Sequence, residues 1–319
     1  MYRNQHYWNR KQELAKKALA HHQAVTDTPD YMSAYANNEV FSNYIPKNNR
    51  RPEQTPECSL WDTDSVTALF RLRKTYPDKR IAVLNFASYK EPGGRFLDGS
   101  SAQEESLCHQ STLYEALLKE INFYSWNNQH KNRSLYKNRA IYSRDVRFFD
   151  KNFLPANTTP ADALAHSVLA DVITCAAPNK YAAQKYCHVS DAENSQVLYN
   201  RIEFLMNLAC FKETDILVLG AYGCGVFGQD PIEVAYTFKN LLPLSRCQKV
   251  IFAIPDASGT NYQAFADAFR SVSGLRPLCR RTLSGNQDTR RKPYGFTERS
   301  RYLLSWFTVL GRKRRSYHR

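Results

Sequence analysis

An apolar burst, Arg80-Ile-Ala-Val-Leu84, runs straight into a glycine-bearing loop at Pro92-Gly93-Gly94 and then into two adjacent carboxylates, Glu104 and Glu105. The burst has the length and β-rich composition of a buried strand. Leu107, Tyr114 and Leu117/Leu118 recur at helical spacing, which predicts a helix over 104–120 opened by the two acids. A chain written this way forms a strand–loop–helix unit of an open α/β sheet, and such sheets bind ligands beyond the carboxyl ends of their strands. Main-chain N–H groups freed by small residues can cup a phosphate there. An ordinary connection has the same outline, so the flanking motifs decide.

The rest of the chain repeats the alternation. Strands are expected at Ile81–Phe86, Ala140–Tyr142, Val168–Thr174, Ile216–Leu219 and Val250–Ile254, with helices at about 104–120, 191–211, 231–242 and 260–273. Strands separated by helices predict a sheet covered on its faces. Ahead of it lie a helical stretch over Tyr7–Val25, a proline-bearing connector over Lys47–Pro56 and a short helix from Asp62 to Leu72. The division expected is a helical extension over 1–60, the sheet domain over 61–275 and a basic tail over 276–319.

Hydrophobic residues make up 43% of the 319, an ordinary proportion for a globular chain. The amino terminus lacks the apolar core of an export signal, and no apolar run approaches the roughly 20 residues that cross a bilayer. Eight scattered cysteines without a Cys-x-x-Cys pair suit buried thiols in a reducing compartment. We therefore expect an intracellular protein, cytoplasmic, or nuclear in a eukaryotic host. The histidines form no metal spacing, and His21-His22 reads as a solvated helix turn.

Of the formal +14, a net +10 falls on Arg280–Arg319, with twelve Lys/Arg against two acids. The sheet domain is thus close to neutral, and charge arguments concern the tail. Its apolar run, Tyr302-Leu-Leu-Ser-Trp-Phe-Thr-Val-Leu310, is flanked by Arg299, Arg301 and Arg312-Lys-Arg-Arg315. It reads either as an element docked on the domain or as an anchor for an anionic membrane or nucleic acid.

A second loop, Gly220-Ala-Tyr-Gly-Cys-Gly-Val-Phe-Gly228, lies between a strand and a helix opened by Asp230-Pro231. Gly223, Gly225 and Gly228 permit positive φ and close backbone approach, so main-chain N–H groups can wrap a diphosphate without a lysine. Core packing of Val226 and Phe227 is the plainer alternative. Cys224 has no histidine nearby in sequence to make it a nucleophile.

Asn85-Phe-Ala87, Pro92-Gly-Gly94 and Gln103-Glu-Glu105, followed by Ser111-Thr-Leu-Tyr114, Ala176-Ala-Pro-Asn179 and the second loop, closely resemble the motifs of microbial-type poly(ADP-ribose) glycohydrolases, a branch of the macrodomain superfamily. The motifs fall in order over roughly residues 60–272. The resemblance implies a macrodomain-like three-layer α/β/α sandwich with a mixed sheet. It implies a glycosidase that removes ADP-ribose from poly(ADP-ribose) or an ADP-ribosylated protein, acting as a monomer with neither cofactor nor metal.

The resemblance assigns the catalytic acid to Glu105 and the ribose hydroxyls to Glu104. The substrate-binding set it implies is Asn85, Gly93, Gly94, Arg95, Gln103, Gly223, Cys224, Gly225, Val226 and Phe227, with Phe227 on the distal ribose and Ser88 as a weaker counterpart of Asn85. Glycoside cleavage passes through an oxocarbenium-like state, so a positioned carboxylic acid speeds it by protonating the leaving oxygen. Consecutive residues diverge by about 100° on a helix, so Glu104 and Glu105 are not expected to oppose one another across one bond. Arg95 stands where the family carries a third glycine. A positive φ there would cost about 1 kcal/mol or more, and the guanidinium would either pair with phosphate or fill the pocket. In the second case the chain would bind ADP-ribose without cleaving it. A third possibility is nucleic-acid binding dominated by the tail.

Overall fold

This computed structural model describes residues 2–43, 45 and 54–270. The basic tail 276–319, its apolar run and most of the Lys47–Pro56 connector lie outside the described residues. The strands β1 (Glu39–Ser42), β2 (Glu57–Trp61), β3 (Ile81–Phe86), β4 (Arg139–Phe149), β5 (Ser167–Cys175), β6 (Ile216–Leu219) and β7 (Lys249–Ala253) form one mixed sheet in the order β1-β4-β5-β3-β6-β7-β2. Strands β5, β3, β6, β7 and β2 run parallel, and β4 and β1 are antiparallel at one edge.

Side-chain alternation sorts the strands into two cores. Ile81 and Val83 of β3 join Val218 and Ile251 on one face, while Ala82 and Leu84 join Leu217 and Phe252 on the other. Burial on both faces explains why β3 and β6 read as continuous apolar runs. The first face is covered by α1 (Tyr2–Thr26), α2 (Ser65–Thr75), α3 (Gln103–Cys108), α4 (Leu113–Leu118) and α5 (Ile121–Gln129), through Ala18, Leu69, Leu107, Leu117 and Phe123. After α6 (Pro160–Ala165) and α7 (Lys180–Cys187) come α8 (Asp191–Phe211), α9 (Pro231–Leu241) and α10 (Thr260–Phe269). These last three cover the second face through Leu198, Leu205, Phe238 and Phe265. The three-layer sandwich with a mixed sheet is therefore the fold.

Central β3 pairs with both β5 and β6, so the chain leaves these three strands side by side at one end of the sheet. Both glycine-bearing loops start there.

Several elements differ from the sequence reading. The helix expected over 104–120 is broken into α3 and α4, because Ser111 bridges Phe148 and the Thr112 N–H donates to the Arg147 carbonyl at 3.0 Å. Edge strands β1 and β2 carry little buried apolar alternation, and β4 outruns its expected span through an irregularity between Ser143 and Val146.

Residues on both sides of position 60 fall within one compact unit. Helix α1 buries Ala18, His21 and Val25. Instead of forming a solvated turn, His21 faces the Ser111 carbonyl oxygen at 2.9 Å, and burial pushes its imidazole down to about 4. His22 pairs with Glu115 at 2.9 Å. Gly99, at φ +74, lets α1 approach the first loop: a Cβ there would lie 2.0 Å from the Lys11 carbonyl oxygen. Among the described residues no helix is long and apolar enough to cross a membrane.

Candidate functional site

Gln103 fixes the geometry of the first loop. Its Oε1 accepts the Phe86 N–H at 2.8 Å, and its Nε2 donates to the Leu84 carbonyl at 2.9 Å and to Ser65 Oγ at 3.3 Å. The residue expected to touch substrate thus spends both ends of its amide clamping the start of α3 to the end of β3.

That clamp sets the two acids. Glu104 Oε1 accepts from Asn85 Nδ2 at 3.1 Å, and its Oε2 accepts the Ser88 N–H at 2.6 Å. Ser88 thus meets Glu104 through its main chain, while its Oγ accepts the Lys90 and Glu91 N–H groups at 3.3 Å and 3.2 Å. Asn85 Nδ2 also donates to Thr174 Oγ1 at 3.2 Å, leaving Asn85 Oδ1 as a buried acceptor with no donor among the described residues. Glu105 Oε1 accepts the Arg95 N–H at 3.0 Å, and no donor among the described residues meets its Oε2.

The carboxylates converge more than helical divergence alone suggests. A Cβ on Gly94 would stand 2.7 Å from Glu105 Oε1 and 3.0 Å from Glu104 Oε2. Both acids are buried. Burial pushes the Glu104 carboxyl up to about 8, against the pull of the Ser88 and Asn85 donors and with a further push from Glu105.

Because folding raises this carboxyl above its ordinary value of 4.5, its contribution to stability is full below 4.5 and is lost as pH rises through 8. The thermal midpoint is expected to fall across that window, and more steeply in the native chain than in Glu104→Gln. Parallel slopes measured by calorimetry would contradict this account.

The backbone strain weighed for Arg95 does not arise. The left-handed conformations fall on Gly93 and Gly94, at φ +65 and +60, and not on Arg95. Its side chain is 68% exposed, with the guanidinium paired to Asp98 at 2.8 Å. Arg95 therefore carries no left-handed strain, and its guanidinium is turned to Asp98.

The second loop is braced from below. The Tyr222 hydroxyl donates to the Cys175 carbonyl at 3.1 Å. Buried Gln229 exchanges amide bonds with Asn194 at 2.9 Å and donates to the Pro178 carbonyl at 2.7 Å. Its N–H closes the loop on the Gly223 carbonyl at 3.0 Å. Gly223 and Gly228 have positive φ, whereas Gly225, expected to share it, does not.

The consecutive N–H groups of Gly225, Val226 and Phe227 donate to no acceptor among the described residues. Val226 is 85% exposed and so is not a core residue, while Phe227 packs edge-on against Tyr136 at 6.0 Å. Tyr136 in turn stacks on Tyr89 of the first loop at 4.1 Å. Burial pushes the Cys224 thiol up to about 12, which disfavours a thiolate there at neutral pH.

The loops meet where the Phe86 and Tyr222 rings touch edge to face at 5.7 Å. Asn179, read as rim or turn, caps α7 by accepting the Ala182 N–H at 2.9 Å.

Arg201 was not among the expected residues, because an arginine within a helix reads as a solvated position. It is fully buried, and its guanidinium donates to Asn138 Oδ1 at 2.7 Å, to the Leu135 carbonyl at 3.3 Å and to the Ala176 carbonyl. It ties the turn before β4 to the chain leaving β5. Among the described residues no group of His, Cys, Asp and Glu could hold a metal ion.

The microbial-type PARG catalytic domain matches residues 4–151, a span that includes both acids and helix α1. The crystal structure of poly(ADP-ribose) glycohydrolase from Deinococcus radiodurans in complex with ADP-ribose is 31% identical, with a TM-score of 0.65. The alignment covers 77% of this chain and 99% of that one. The enzyme from Thermomonospora curvata bound to the inhibitor ADP-HPD is 27% identical, with a TM-score of 0.64, over 80% of this chain and 99% of that one. Among curated proteins no sequence matches significantly.

Proposed function

The chain belongs to the microbial-type poly(ADP-ribose) glycohydrolases, and we propose that it hydrolyses the ribose–ribose bond of poly(ADP-ribose) with Glu105 as the acid, releasing ADP-ribose. One observation carries this reading: two buried carboxylates converge over Gly94 at the same sheet end as three unspent N–H groups on the neighbouring loop. The Gly225–Phe227 N–H groups suit a diphosphate, which needs several fixed donors and no lysine.

The acids divide by their partners. Glu104 has both oxygens engaged, so it is suited to position the ribose hydroxyls together with the open Asn85 Oδ1. Glu105 has one oxygen tethered and one available, which suits a group that must deliver a proton. The raised value at Glu104 supports a proton held on that carboxyl at neutral pH. Ribose hydroxyls donating to Glu104 favour charge there and release its proton toward the leaving oxygen through Glu105. Protonation of the departing oxygen then accompanies development of the oxocarbenium-like centre, and water completes hydrolysis.

The exposed, ion-paired Arg95 side chain gives no support to the alternative of a pocket that binds without cleaving. The basic segment 276–319 is read as an accessory that attracts the polyanionic substrate, and the free, scattered cysteines favour an intracellular setting.

The test is incubation of the full chain with end-labelled poly(ADP-ribose). Free ADP-ribose should accumulate; binding of ADP-ribose without release from polymer would overturn the hydrolase reading.

A further inference from the structure

Helix α7, outside the site described above, carries exposed aromatic surface that no packing partner among the described residues accounts for. Tyr181 is 54% exposed and Tyr186 66%. Between them stands Lys185, whose ammonium donates to Tyr181 Oη at 2.9 Å and lies 5.2 Å and 5.3 Å from the two ring centroids. The helix is joined to the second loop: the Tyr181 N–H donates to the Phe227 carbonyl at 3.0 Å, and a Cβ on Gly228 would stand 3.3 Å from the Tyr181 Cβ. An aromatic–cation–aromatic patch therefore continues the loop that ends at Gly228.

Purines stack on exposed aromatic rings, at about 1–3 kcal/mol per base, and an ammonium beside the rings suits phosphate. A polymer of ADP-ribose repeats a purine and a diphosphate in every unit, so the unit adjoining the one held for cleavage presents both chemistries beside the loop. Resting on the poly(ADP-ribose) reading above, we propose that Tyr181, Lys185 and Tyr186 form a subsite for that adjoining unit, through which the enzyme prefers polymer to free ADP-ribose. The patch lies beside the loop, so it adds affinity for chains without touching the unit held beneath Gly94.

Binding is measured with the full chain carrying Glu105→Gln, so that polymer stays intact, against free ADP-ribose and size-fractionated poly(ADP-ribose). Adding Tyr181→Ala and Tyr186→Ala should weaken polymer binding about tenfold or more and leave ADP-ribose affinity within about twofold. Lys185→Glu should do the same without removing either ring, which guards against misfolding of the double variant. Unchanged polymer affinity in both variants, an equal loss for free ADP-ribose, or polyadenylate competing as well as poly(ADP-ribose) would each overturn the subsite. Hydrolysis by the otherwise native chain is read separately. Normal release with unaltered polymer binding sinks the subsite and spares the hydrolase, whereas selective polymer loss without any release does the reverse.

Discussion

A Glu105→Gln chain is expected to release ADP-ribose from polymer about 10²–10⁴ times more slowly than the native chain, the span over which a positioned general acid acts. Glutamine keeps the shape of the side chain and an oxygen for the Arg95 N–H, held at 3.0 Å. What it lacks is a transferable proton on the second oxygen, which no protein donor meets among the described residues. Affinity for ADP-ribose should therefore change little while kcat collapses. Glu104→Gln should behave differently. Both Glu104 oxygens accept N–H groups, from Asn85 and Ser88. An amide there must set its own N–H₂ against one of those donors, a mismatch of about 1–3 kcal/mol. Loss of ADP-ribose affinity should accompany the loss of rate. Native-like release by Glu105→Gln would remove that residue from the chemistry.

Most of what positions these acids was legible because it is local. Strand β3, the glycine pair, the two glutamates and the second loop are contiguous runs whose residue types demand their conformations. Asp230 caps α9, with its carboxylate accepting the Ile232 N–H at 2.9 Å, as the Asp-Pro pair predicts. The misses came from long-range bonding. Ser111 breaks a helix because it pairs with Phe148 on a distant strand. His21 is buried because α1 lies across the first loop, a contact permitted by Gly99. Arg201 resembles any helical arginine until its three carbonyl-oxygen partners, drawn from two distant segments, surround it. The strain weighed for Arg95 fails because Gly93 and Gly94 take the positive φ values, and its guanidinium pairs with Asp98.

Gly94→Ala should be nearly as damaging as removal of the acid, although it deletes no functional group. The added methyl would stand 2.7 Å from Glu105 Oε1 and 3.0 Å from Glu104 Oε2, so at least one carboxylate must move. The φ of +60 also strains any side chain at this position, at a cost of about 1–2 kcal/mol. Neither carboxylate can withdraw freely: Glu104 is held by Asn85 and Ser88, and Glu105 by the N–H of the very next residue, Arg95. Relief must come from shifting the loop itself, which moves the acid relative to the anomeric carbon. A displacement of 1 Å at a reacting centre costs about 10²-fold, so kcat should fall by at least that factor. The loss of thermal stability should be modest by comparison, since the substitution removes no side chain from either core, Phe96 of the same loop included. The fall should appear in kcat before KM, because the N–H groups proposed to hold the diphosphate, Gly225–Phe227, belong to the other loop. A Gly94→Ala chain that turns over at the native rate would show that the carboxylates do not crowd this backbone, and the division of labour between them would have to be redrawn.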